Sequence, residues 1–334
     1  MDIELIKELC AIQGVSGYEE RIANFIISKI SPFFDECKRD RLGNVIAYKK
    51  GSSDRRKRIM FFSHMDECGF LTTHIEENGR IRFSALGDTD VYSAIYRKVC
   101  FENGAEGLML AESTELKNPT FNSFYVDIGA KSKAEAEKAV SLGETFVFDS
   151  SFTELYNEKI STKALDGRAS CAVLISASEK IANCENDIYF VFSVQKNVGN
   201  RGIKPASYAI SPDIAISFDA SLSSHKDNTG KSLAVGEGIG IKIKDKSVIC
   251  NESLINFIRD IAKKENLNLQ SEASSFGSSE LAAVQSSHSG AMVAGITLPC
   301  QNPNSCAQIM SLKDIENAQI LAETLLNSDF SAII

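Results

Sequence analysis

The chain has 334 residues, 43% hydrophobic and 24% charged, with a net charge of −8. That is the composition of a folded globular protein with a well-buried core and room for more than one domain. The acidic balance, relieved only by the short run Arg55-Arg56-Lys57-Arg58, argues against nucleic acid or an anionic membrane as partner. No stretch reaches membrane-spanning length, and the acidic start Met1-Asp2-Ile3-Glu4 lacks the basic flank of a secretory signal, so a cytoplasmic location is expected. Nine cysteines with no Cys-x-x-Cys pair fit a reducing compartment, and Cys68 and Cys306, beside the candidate site, are expected to pack rather than react.

In chain order, apolar spacing predicts a helix over residues 2–13 and a second from Glu19 to Ile30, with Ser16 and Glu19 spaced as a capping box. Leu42 to Tyr48 and Arg58 to Phe62 read as strands. Beyond Asp66 the texture changes to short strands and turns: a hairpin over 70–83, strands near 98–101, 107–110 and 145–148, and one helix around 133–140. From Lys163 the pattern reverts to α/β, with helices over 169–181, 254–264 and 312–326 and strands over 188–194, 214–218 and 296–298. Ser221 to Lys231 and Ser271 to Ser279 read as polar loops. The expected class is α/β, residues 1–65 and 163–334 forming one discontinuous domain and residues 66–162 an inserted β-rich domain.

Ser63-His64-Met65-Asp66 directly follows the apolar run Ile59 to Phe62, which places a histidine and a carboxylate at the carboxyl end of a buried strand, where open α/β folds bind ligands. Imidazole and carboxylate together suit a zinc-like ion. Three further stretches end in the same way: Lys163-Ala164-Leu165-Asp166-Gly167-Arg168 at a loop-to-helix junction, Phe192-Ser193-Val194-Gln195, and Ile216-Ser217-Phe218-Asp219. His74 sits by a hairpin turn, and His225 and His288 lie in serine-rich stretches without companion ligands. Gly236-Glu237-Gly238-Ile239-Gly240 runs into an alternating strand rather than a helix, so it is not a phosphate loop. No Gly-x-Ser-x-Gly elbow is present.

These stretches, with Val126-Asp127-Ile128-Gly129-Ala130-Lys131-Ser132 and Ser84-Ala85-Leu86-Gly87, resemble the tetrahedral dinuclear metallo-aminopeptidases, a family also labelled cellulase M or endoglucanase. The resemblance runs along nearly the whole chain. It implies a three-layer metallo-exopeptidase domain with an inserted β-barrel-like dimerisation domain, assembled as a homo-oligomer from dimer to dodecamer. It also implies that His64, Asp166 and Asp219 hold one metal and that Asp66 orients His64. The family's Gln-Glu-Glu-Val-Gly segment is Gln195-Lys196-Asn197-Val198-Gly199 here, so Lys196 stands at the general-base position and Asn197 at a ligand position of the second metal. Asn304 stands where the family has a late histidine ligand, and the Gly-Gly-Thr-Asp-Ala segment becomes Gly277-Ser278-Ser279-Glu280-Leu281.

A neutral amide is a poor zinc ligand, so one divalent cation (zinc, cobalt or manganese) is expected and two are not. An ammonium on Lys196 near Asp166 would supply the charge of the missing metal; the alternative is a lysine that reaches water from a strand end. Three functional readings follow. The preferred one is a family member that has lost peptidase activity and acts as a binding or assembly subunit, alone or beside an active relative. The second is an active metal-dependent aminopeptidase acting on peptides. The third, a glycoside hydrolase, lacks an identifiable carboxylate pair.

Overall fold

A computed structural model describes residues 2–113, 117–182, 184–223, 233–331 and 333. The chain opens with two helices, α1 (Ile3–Ala11) and α2 (Glu20–Ile30), and three strands, β1 (Glu36–Arg39), β2 (Val45–Lys49) and β3 (Arg58–His64). It then builds β4 (Gly69–Ile75), β5 (Ile81–Leu86), β6 (Arg97–Phe101), β7 (Glu106–Ala111), β8 (Phe124–Asp127), α3 (Lys133–Ala136) and β9 (Thr145–Phe148). The hairpin β10 (Thr153–Leu155) and β11 (Lys159–Thr162) leads to α4 (Leu165–Ser178), β12 (Asp187–Ser193), α5 (Ile203–Ile210) and β13 (Ile214–Leu222). The last stretch carries β14 (Ile239–Lys244), α6 (Glu252–Lys264), β15 (Leu269–Ala273), α7 (Leu281–Gln285), β16 (Met292–Cys300), β17 (Gln308–Ser311) and α8 (Leu312–Leu326).

Eight strands form one mixed sheet in the order β1-β2-β12-β3-β13-β16-β14-β15, and its centre, β12-β3-β13-β16, is parallel. Central strands covered on both faces must be apolar on both, which is why β3 and β12 read as continuous apolar runs. Helix α4 packs on β3 and β13 and against α1 and α8, whereas α5 and α7 pack together by β12 and β16. Ser271 to Ala273, read from the sequence as loop, belongs to the edge strand β15; Gln270 and Glu272 there are polar because they bond to neighbouring side chains and backbone. The 133–140 helix is shorter than its spacing predicts, ending as a regular helix at Ala136.

Strands β4, β5, β8, β7, β6 and β9 close into an antiparallel barrel with its own core of Phe70, Phe83, Phe101, Phe124 and Phe146. Phe70 and Phe146 stack with ring centroids 5.1 Å apart. The barrel leaves the sheet just after His64 and Asp66, so it hangs over the carboxyl edge of the parallel strands. The returning hairpin β10–β11 pairs with β17 rather than with the barrel. No described helix is long and apolar enough to cross a membrane.

Candidate metal centre

Three side chains from three separate segments converge at that edge. His64 closes β3, Asp219 lies in β13 two residues beyond its pairing with β3, and Asp166 opens α4. His64 Nε2 is 3.2 Å from Asp166 Oδ1 and 3.4 Å from Asp219 Oδ1. Around an ion with bonds of about 2.0–2.1 Å, tetrahedral ligand atoms lie about 3.3 Å apart. The donor set therefore fits one small dication. All three ligand atoms lie within 4.8 Å of one another.

Backbone strain brings Asp166 into place. Ala164 has φ 59° and Gly167 φ 83°, while Asp166 itself is extended, so regular helix begins only beyond Gly167. A Cβ on Gly167 would lie 2.6 Å from His64 Cε1, which explains why glycine stands there. The Asp166 N–H donates to Gln308 Oε1 at 2.7 Å, tying the turn to β17.

Asp66 points behind the centre. Its carboxylate accepts from the backbone N–H of Lys196 and of Asn197, each at 3.0 Å, from Asn197 Nδ2 at 3.0 Å and from Ser16 Oγ at 2.5 Å. Burial alone would raise its pKa, but the His64 ring and these donors bring it down to about 2. His64 Nδ1 lies 3.3 Å from that carboxylate and 3.1 Å from the Asp66 carbonyl, which leaves Nε2 to face the two other aspartates. The capping box expected of Ser16 and Glu19 does not form: Ser16 is spent on Asp66, and Glu19 accepts the Gln195 N–H at 2.8 Å.

Lys196 reaches inward. Its Nζ is 3.8 Å from Asp166 Oδ1 and 3.7 Å from Asp219 Oδ1, with 16% of its side chain exposed. Burial opposes its charge, yet the facing carboxylates of Asp166 and Asp219 raise its pKa, and it stays an ammonium. Asp219 in turn is held well below the usual carboxylate range, against its own burial, by Lys196 and His64. The lysine reaching water, one of the two sequence-level options for Lys196, is not what the structure places here.

Asn197 and Asn304 do not turn to the cation position with a second ligand set. Asn197 spends its amide on Asp66, and Asn304 Oδ1 faces Cys68 Sγ at 3.5 Å in the crevice beside Asp166. Burial and the Asp166 carboxylate push the Cys68 thiol up to about 12, so it does not act as a thiolate. Cys306 packs in the barrel core. His288 is exposed and stacks on Tyr208, His74 is exposed, and His225 lies outside the described residues.

Supporting residues went unassigned in the sequence although several sit inside the quoted stretches. Glu67 accepts from Lys163 Nζ at 2.7 Å and from the Gly14 N–H at 3.1 Å. Lys163 also donates to the Cys10 carbonyl, and Arg168 to those of Leu9 and Ile12, so two cations of the Asp166 turn cap the carboxyl end of α1. This tie joins both ligand-bearing turns to one helix. The signal was the presence of Lys163, Glu67 and Arg168 within the stretches that carry the ligands.

Glu280, from the departed Gly-Gly-Thr-Asp-Ala segment, is 3% exposed and accepts from Ser193 Oγ at 2.7 Å. Burial first, and then the Asp219 and Asp66 carboxylates, push its pKa up to about 7. A carboxyl raised this way makes the folded state lose stability as pH rises from the unfolded value near 4.5 through about 7. Glu280→Gln, which keeps an acceptor for Ser193, is expected to stabilise the fold by about 3 kcal/mol at pH 8 and by under about 1 kcal/mol at pH 5. Urea midpoints at both pH values check this; equal shifts at the two would refute it.

An imidazole and two carboxylates thus meet at the carboxyl edge of a parallel sheet, with a barrel inserted over that edge, in an α/β protein with a candidate metal centre. The chain belongs to the M42 glutamyl aminopeptidase family, whose model matches residues 43–321. It is 31% identical to the lysyl aminopeptidase of Pyrococcus furiosus, over 98% of this chain and 97% of that protein. In structure it is similar to the aminopeptidase APDkam598 of Desulfurococcus kamchatkensis, with a TM-score of 0.94 and 29% identity over 98% of this chain and 94% of that one. It is likewise similar to the Pyrococcus horikoshii TET1 peptidase, described as assembling into a tetrahedron or a large octahedral shell, with a TM-score of 0.89 and 30% identity over 98% and 99% of the two chains.

Proposed function

We propose that this chain is a metal-dependent aminopeptidase that works with a single divalent cation, on His64, Asp166 and Asp219, and removes residues from peptide amino termini slowly. Family membership and relatives named aminopeptidases over their whole length support hydrolysis ahead of the preferred sequence-level reading of lost activity. The observation that carries the one-cation part is the inward Lys196 ammonium, beside Asp166 and Asp219 in place of the carboxylate that would serve as base.

A cation bound here supplies Lewis acidity and a water acidified toward neutral pH. Asp66 fixes the tautomer and angle of His64. Lys196 places a permanent positive charge at the crevice floor, suited to the negative charge that develops on a reacting carbonyl oxygen. Because no carboxylate stands at position 196, turnover is expected to lie about 10²–10⁴ below that of a relative with a base there.

The same crevice used for peptide binding without turnover is the second reading, favoured by the neutral Asn197 and Asn304. A homo-oligomer is expected by analogy with the tetrahedral and octahedral assemblies described for the relatives, with the barrel as the dimer-forming unit. Pure protein loaded with zinc or cobalt and freed of excess ion, assayed over a panel of aminoacyl chromogenic substrates, is the test. The expected result is one cation per chain and slow hydrolysis abolished by a chelator. Absence of hydrolysis with one cation bound selects the binding reading, and two tightly bound cations would overturn the one-cation centre.

A further inference from the structure

We infer that Lys196 determines which cation this centre accepts and how tightly, by competing for the oxygens that would ligate it. The inference rests on the one-cation reading of the same site. The Oδ1 atoms of Asp166 and Asp219 that face His64 Nε2 at 3.2 and 3.4 Å are the same atoms that lie 3.8 and 3.7 Å from Lys196 Nζ. An incoming dication and the ammonium therefore share both carboxylates. Lys196 gives up those oxygens only at a cost, because the backbone at 196 and 197 is fixed by N–H bonds to Asp66 and only 16% of the side chain meets solvent.

Charge counting gives the consequence. Only Asp166 and Asp219 face the cation position, and the ammonium leaves that pair a net charge of −1; Asp66 stays ionised but lies behind His64, held there by Ser16, Asn197 and backbone donors. Ions that depend on several carboxylates, such as magnesium and manganese, lose most of their binding to such a set. Zinc and cobalt lose less, because imidazole nitrogen carries more of theirs. The structure thus assigns to Lys196 a specificity-determining role: the site takes one nitrogen-seeking dication weakly and refuses hard ones.

The test uses the metals alone. Dissociation constants for zinc and manganese are measured by chelator competition on the cation-free full chain, for wild type, Lys196→Met and Lys196→Gln. Both variants are expected to bind either ion at least about tenfold tighter, since a like charge within a few ångströms is removed, with the larger gain for manganese. Unchanged or weaker binding in the folded variants would overturn the competition, and equal gains for the two ions would overturn the selectivity. Should neither variant fold, reductive methylation of wild-type Lys196 decides: zinc is expected to raise its reactivity, and unchanged reactivity refutes displacement. No arm uses hydrolysis, so failure of the aminopeptidase reading would show separately in the substrate assay.

Discussion

Restoring Lys196→Glu, Asn197→Glu and Asn304→His together is expected to raise the turnover of aminoacyl substrates by about 10²–10⁴, and to add a second cation per chain. The gain follows from returning a proton acceptor to position 196 and two ligands to the amides. It carries one structural cost. Asn197 Nδ2 is among the donors that hold Asp66, and a glutamate there sets a like charge beside that carboxylate. Ser16 Oγ and the two backbone N–H groups remain, so Asp66 keeps its place and the gain survives. The measurement is kcat for wild type, the three single variants and the triple variant. Because base and clamp act as a unit, the single changes are expected to fall far short of the triple. A triple variant that binds two cations and turns over no faster than wild type would mean that the scaffold around the centre has also changed.

Affinity for the first cation should rise with pH through the neutral range, with release of a proton as the ion binds. The cause lies at His64. Burial and the Lys196 charge push its pKa down, but hydrogen bonds to Asp166, Asp219 and Asp66 outweigh them and hold it well above its usual value. The cation-free imidazole therefore keeps its second proton to higher pH than an ordinary histidine, and the Nε2 proton must leave before that nitrogen can bind an ion. Affinity levels off once the pH passes the raised pKa. Calorimetric titration with zinc in two buffers of different ionisation enthalpy measures the proton released. A flat affinity from pH 6 to 8 with no proton release would show that His64 is already neutral. The same linkage sets the acid side: Asp66, held at about 2, stabilises the fold fully above the unfolded carboxyl value and loses that contribution as the pH falls toward 2.

Much of this molecule was legible in one dimension, and the reason is local. Burial on both faces forces continuous apolar runs, so β3, β12 and β13 announce themselves, and the polar residues that follow those runs, His64, Gln195 and Asp219, have to lie toward the carboxyl edge of the sheet. The change to short alternating strands after Asp66 likewise marks the inserted barrel. Ligand chemistry is also written in residue identity: an amide is a poor zinc ligand, and a lysine that faces carboxylates stays an ammonium.

What tertiary structure decided was where equivalent donors and acceptors go. Ser16 and Glu19 have the spacing of a capping box, and only the approach of Asp66 and of the Gln195 backbone sent them elsewhere, because a buried carboxylate and a buried N–H need partners more than an exposed helix end does. Lys196 had two sequence-compatible orientations; the two negative charges of Asp166 and Asp219, which His64 alone cannot balance, select the inward one. The edge strand β15 was invisible because edge positions tolerate polar residues, and the charges of Lys163 and Arg168 did not reveal where they go because their partners include backbone carbonyls of α1, which no side-chain pattern records. Residue chemistry fixed which groups were available to this centre, and long-range packing fixed which of them face one another.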